Sequence, residues 1–96
     1  MYDIIYEGFE WSSSKEELNI LKHGVNFTEA STCFSDPRGF GFDDLKHSDV
    51  ERREWWIGMS ERKRILITWF TPRGERIRII GSASFRKFRR LYNERT

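Results

Sequence analysis

The chain is 96 residues long, with one cysteine, two prolines and no apolar run near the ~18 residues that cross a bilayer. A lone Cys33 cannot close an internal disulfide, which suits a reducing compartment; its place between Ala30 and Phe34 marks a small core residue. No basic region followed by an apolar one lies between Met1 and Glu10, so no secretory leader is expected. The protein is expected to be cytoplasmic and to have no membrane partner. Hydrophobic residues make up only 38% of the chain, but they fall in patterned runs and include 16% aromatics, so a folded protein is expected. Residues 1–96 are expected to form a single domain. The scarcest feature is negative charge in the second half. Residues 55–96 hold three acidic side chains against eleven basic ones, a net of +8, whereas residues 1–54 hold twelve against six, a net of −6.

Nine of those eleven basic residues are arginine, whose planar five-donor group grips phosphate bidentately where lysine offers a point charge. That bias points to a polyanionic partner, most often nucleic acid. The alternative is a basic face that only meets solvent.

Ile4 to Tyr6 and Phe9 to Trp11 read as one or two short extended pieces. Ser12, Ser13 and Ser14 offer N-caps for a first helix, with Glu16 and Glu17 at capping-box spacing. Its apolar stripe is expected to be Leu18, Leu21 and Val25, flanked by Ile20, and its end is marked by Lys22, His23 and Gly24. A second helix starts near Asn26, carries Phe27, Ala30 and Phe34 inward, and stops at Asp36-Pro37. Strands follow over Phe40–Phe42, Trp55–Ser60, Ile65–Thr71 and Arg76–Ser82, with a tight turn at Pro72-Arg73-Gly74. Ser84–Arg95 reads as a closing helix with Phe85, Phe88 and Tyr92 on one face. The expected fold is therefore α+β: two N-terminal helices, an antiparallel four-stranded sheet and a C-terminal helix.

The run Phe9-Glu10-Trp11, Lys15, Asn19, Lys22-His23-Gly24-Val25 and Phe27 resembles the opening of the BrnT family, toxins of type II toxin–antitoxin modules with a RelE-like ribonuclease fold. The similarity continues through Asp36-Pro37, His47-Ser48, Arg64, Arg73-Gly74, Arg76 to Ile80 and Arg89-Arg90. The chain departs from the family's pattern at Gly81-Ser82-Ala83-Ser84, where an arginine usually stands. The resemblance implies an endoribonuclease that inhibits translation by cutting RNA and is neutralised by a cognate ribbon-helix-helix antitoxin. DNA would be met only through the toxin–antitoxin complex. The alternative is a non-catalytic module that binds RNA or the antitoxin.

Cutting RNA through its own 2′-hydroxyl needs a base, cations for the phosphate and an acid for the leaving oxygen, and no metal or cofactor is obligatory. His23 and His47 show no metal-ligand spacing. The catalytic candidates are Arg78, Arg76, Lys22, Arg64 and His23. Arg76 and Arg78 share one strand face about 7 Å apart, a spacing that suits successive phosphates; equally, they are charges that protect an edge strand. Lys22 and His23 also complement the end of the first helix without any further role. The RNA-binding candidates are Arg86, Arg89 and Arg90 on the closing helix, His47 in a charged loop, and Trp55 as a base-stacking ring, although Trp55 and Trp56 face opposite ways on their strand and alternation alone does not say which of them is core. The same basic helix also suits an acidic antitoxin segment.

Overall fold

A computed structural model of the chain describes residues 2–47 and 51–95. Glu7 and Gly8 both take positive φ, 47° and 87°, the two-residue turn whose twist matches that of the flanking strands. They join β1 (Asp3–Tyr6) to β2 (Phe9–Ser12) as an antiparallel hairpin. Ser12 then caps α1 (Ser13–His23), its hydroxyl accepting the Lys15 N–H at 3.4 Å, and Gly24 closes the helix in the left-handed region at φ 67°. The Glu16 carboxylate serves the hairpin and the next helix, accepting from the Trp11 indole at 3.1 Å and the Phe27 N–H at 2.8 Å.

Asn26 caps α2 (Phe27–Thr32) by accepting the Glu29 N–H at 2.7 Å, and a short 3-10 turn (Cys33–Ser35) follows. The chain continues through β3 (Phe40–Asp43), a second 3-10 turn (Leu45–His47), β4 (Glu54–Met59), β5 (Ile65–Arg73), β6 (Arg76–Ala83) and α3 (Arg86–Arg95).

The strands form one six-stranded sheet in the order β1-β2-β6-β5-β4-β3, mixed because β2 runs parallel to β6. The expected four-stranded antiparallel sheet behind two leading helices is therefore corrected. The class remains α+β, but the first two extended pieces enter the sheet and both helices follow them. The physical reason lies at β6, whose open edge would leave backbone groups unpaired. Phe9 and Glu10 pair with Ile77 and Arg78 over its first half, and the Ile77 N–H donates to the Gly8 carbonyl at 3.0 Å. Beyond them Asn19 takes over. Its amide donates to the Ser82 carbonyl at 2.8 Å and accepts the Ser82 N–H at 3.1 Å.

That substitution of a side chain for a strand also corrects the stripe expected on α1. Asn19 faces inward, because an open strand edge needs a donor and an acceptor, and Leu18 and Leu21 are turned out, 65% and 84% exposed.

Two apolar layers flank the sheet. Trp11, Val25, Phe27, Ala30, Leu66 and Ile79 pack under α1 and α2. Ile57, Ile67, Ala83 and Tyr92 form the second layer beneath α3, which lies over β4 and β5. Cys33 is fully buried, as expected, and burial pushes its thiol up to about 12, so it is inert packing. Tyr92 is also a packing residue; its hydroxyl donates to Asp36 at 2.6 Å and ties α3 to the chain entering β3. No described helix is long and apolar enough to cross a membrane.

Candidate functional site

Along β6, Ile77 and Ile79 point into the first layer, so Arg76 and Arg78 share the opposite face. Here α3 gives no cover, and ion pairs form instead. Arg78 donates to Asp3 at 3.1 and 3.3 Å and to Glu10 at 2.6 Å. Glu10 also lies 3.9 Å from Arg73, which bonds Glu51 at 2.9 Å. Three carboxylates thus enclose two guanidiniums, and this patch is not cationic. The Arg78 hydrogen bonds hold the Asp3 carboxyl below its usual range. Arg76, one step along the strand face, is exposed and makes no ion pair among the described residues.

Arg64 is placed elsewhere again. From the turn before β5 it donates to both oxygens of Glu29 and, at 3.1 Å, to the Gly24 carbonyl. Glu29 is 2% exposed and also accepts the Ser60 hydroxyl at 2.7 Å; the Arg64 contact, against the effect of burial, holds its carboxyl low. Arg64 is therefore a bracket between the end of α1, the start of α2 and the β4–β5 turn.

Lys22 and His23 stand at the sheet end where β6 finishes. The His23 ring meets Trp69 edge-on at 6.1 Å and Phe85 at 5.5 Å. Burial, reinforced by the Lys22 charge, holds the imidazole below its ordinary value, so at neutral pH it is uncharged and able to accept a proton. Lys22 is exposed and makes no ion pair among the described residues. With Trp69 and Ile80 these residues border a groove of about 230 Å³, smaller than the ~300 Å³ at which small-molecule pockets begin. Trp69 was not singled out from sequence. The signal was Gly81, its cross-strand partner, where a Cβ would collide with the indole.

On α3, Arg86 and Arg90 are exposed and make no ion pair among the described residues, whereas Arg89 donates to the Ser84 carbonyl at 2.9 Å and its hydroxyl at 3.2 Å. Trp55 is half-buried, stacked on Phe42 at 6.1 Å and tilted against Trp69 and Phe88 at 5.4 and 5.9 Å, and Phe42 is the outer ring at 42% exposure. Trp56, on the other face, stacks on Phe34 and donates to the Cys33 carbonyl at 2.7 Å. The side chain of His47, and Ser48 beside it, lie outside the described residues. A larger cavity of about 470 Å³ sets Glu7, Asp36 and Glu61 against Lys63 alone, a wall that repels a polyanion. Among the described residues no group of three His, Cys, Asp or Glu side chains converges as a metal site.

The structure thus brings Lys22, His23 and the first turn of α3 to one end of the sheet and leaves Arg76 and Arg78 at the start of β6, while Arg64, bonded to the Gly24 carbonyl just past His23, is committed to Glu29. The class this defines is an α+β domain with a half-buried histidine beside cations that make no ion pair among the described residues. The model of the ribonuclease toxin BrnT of type II toxin–antitoxin systems matches residues 11–90, and the chain belongs to that family. The solved crystal structure of the Brucella abortus ribonuclease toxin BrnT is similar in fold: TM-score 0.57 at 24% identity, covering 78% of this chain and 91% of that one. No curated protein matches the sequence. Membership implies an RNA substrate and an antitoxin partner. Asp3 and Glu10, the partners of Arg78, lie before the matched residues.

Proposed function

We propose that the chain is an endoribonuclease that inhibits translation by cutting RNA without a metal ion, at the sheet end bordered by Lys22, His23 and α3. The observation that carries this reading is the half-buried His23, set edge-on against Trp69 and Phe85 and held by burial below its ordinary pKa, next to Lys22, which makes no ion pair among the described residues, in a chain of the ribonuclease toxin family. His23 takes the proton of the ribose 2′-hydroxyl, and that oxygen attacks the adjacent phosphorus. The bond from phosphorus to the 5′-oxygen breaks, and the departing oxygen takes a proton from water. Lys22 and the guanidiniums of Arg86 and Arg90 offset charge on the phosphates. The nucleophile belongs to the substrate, so no metal-activated water is required.

Arg78 contributes once a phosphate displaces the exposed Asp3, while the buried Glu10 keeps the guanidinium aimed. The cognate antitoxin in this reading is a ribbon-helix-helix protein, and DNA is bound only by the joint complex. Purified protein should cut single-stranded RNA in excess chelator, leaving 2′,3′-cyclic phosphate and 5′-hydroxyl ends by mass spectrometry. Ends with 3′-hydroxyl and 5′-phosphate, or cleavage that stops in chelator, would rule the mechanism out.

A second reading, binding without cleavage, is favoured by the ion pairs that occupy Arg78 and by the lack of an arginine at Gly81–Ser84. Intact RNA after incubation with the purified chain would establish it.

A further inference from the structure

The most exposed aliphatic side chains on any of the three helices are Leu18 and Leu21, at 65% and 84%. One turn apart, they form neighbouring knobs on the outer side of α1. Leu18 also lines the groove beside His23, so the apolar strip continues inward to Ile80 and Trp69 and on to Phe85, itself 41% exposed. Lys15 and Lys22, both exposed and both without an ion pair among the described residues, flank Leu18 at one turn on either side. The exposed acid of the helix, Glu17, lies beyond Leu21 at the solvent side. Aliphatic knobs between lysines suit a peptide that brings apolar anchors and carboxylates together. They suit RNA less, since RNA rewards flat rings and a continuous run of cations.

We infer that the outer side of α1, centred on Leu18 and Leu21 and flanked by Lys15 and Lys22, is the docking surface for the antitoxin, which lays an acidic, apolar-studded segment there and covers His23. This rests on the family's antitoxin partner and, for how docking inhibits, on the reading of His23 as the base. Inhibition is then simple occlusion: the segment that anchors on the leucines fills the groove and neutralises Lys22.

The test uses the toxin, its variants Leu21→Glu and Leu18→Glu, and its purified antitoxin. Leu21 is almost wholly exposed, so its replacement should leave the melting temperature unchanged. Calorimetry should show antitoxin affinity falling by roughly thirtyfold or more in each variant, the scale of a central anchor. Leu45→Glu, at an equally exposed leucine (83%) on the second 3-10 turn, should bind normally. Without antitoxin, Leu21→Glu should cut RNA within about twofold of the unmodified rate, and adding antitoxin should no longer stop it. Hydrogen exchange should show the antitoxin protecting the amides of α1.

Unchanged affinity in both leucine variants would overturn the assignment, as would an α1 left unprotected. Loss of RNA cleavage by Leu21→Glu in step with its antitoxin binding would give the surface to RNA instead. A toxin that is dimeric alone in light scattering, and monomeric as Leu21→Glu, would give it to a second copy. Leucine variants that lose the antitoxin while even the unmodified chain leaves RNA intact would uphold the docking surface and remove only the ribonuclease reading.

Discussion

Arg64 and Arg86 carry the same charge and stand within the same basic half of the chain, yet they meet different surroundings. Arg64 is closed in a bidentate pair with the buried Glu29, with a third bond to the Gly24 carbonyl. Arg86 projects from the first turn of α3 with no ion pair among the described residues. Arg78 lies between these extremes, paired with one buried and one exposed carboxylate. The net charge of +8 in residues 55–96 therefore overstates what a polyanion meets. The acidic half is folded against the basic half at Arg64, Arg73 and Arg78, and the exposed cations that make no ion pair among the described residues include Lys15, Lys22, Arg76, Arg86 and Arg90. For these arginines, local pairing rather than residue type divides scaffold from candidate site.

Changes at the paired and unpaired sites should separate accordingly. Arg64→Met leaves the Glu29 carboxylate buried without its main partner and should cost about 2–3 kcal/mol, below the ~3–5 kcal/mol of a fully buried pair because Arg64 is partly exposed. In a domain of this size that is roughly 10–20 °C in melting temperature. The sign with pH is set by Glu29. Its folded carboxyl is held low, so the pair stabilises above the ordinary carboxylate range and that stability is lost as pH falls through the lowered value. The deficit of the variant in urea titrations should therefore shrink in acid; a deficit independent of pH would break the assignment of Arg64 as a bracket.

Arg86→Gln with Arg90→Gln should leave the melting temperature within about 2 °C, since exposed charges contribute little. It should weaken RNA binding roughly three- to tenfold and lower the salt slope by about 1.4, two phosphate contacts on a single strand. A slope unchanged by the double substitution would remove α3 from the interface. The smallest effect is expected at Asp3→Asn, which frees one side of Arg78 and should raise RNA affinity about two- to fivefold at low salt. No gain there would mean that Arg78 never meets phosphate.

Much of this was legible in the residues. Asn26 and Gly24 marked their helix ends, Cys33 read as core, and alternation put Arg76 and Arg78 on one face. Local patterns report local geometry, and those features are local. What was not legible was pairing at a distance. Nothing near Phe9 says that β2 will lie parallel to β6, so the meeting of Asp3 and Glu10 with Arg78, 75 and 68 residues away, was hidden. The same fact reversed α1. Leucine at i and i+3 normally marks the core face, but a helix that seals a strand edge needs an amide, and Asn19 displaced the leucines outward. The structure leaves Trp55 flanked by other rings because Phe42 and Phe88, far apart in sequence, arrive on either side of it.

The most direct test of the site is single-turnover RNA cleavage by the unmodified chain and by His23→Gln between pH 5 and pH 8, with folding checked by circular dichroism. The unmodified rate should fall on the acid side as the imidazole, held below its ordinary value, takes up a proton. His23→Gln, still folded, should be slower by about 100-fold or more and should lose that acid limb. A folded His23→Gln chain that cuts RNA at the unmodified rate with the same pH profile would contradict the assignment.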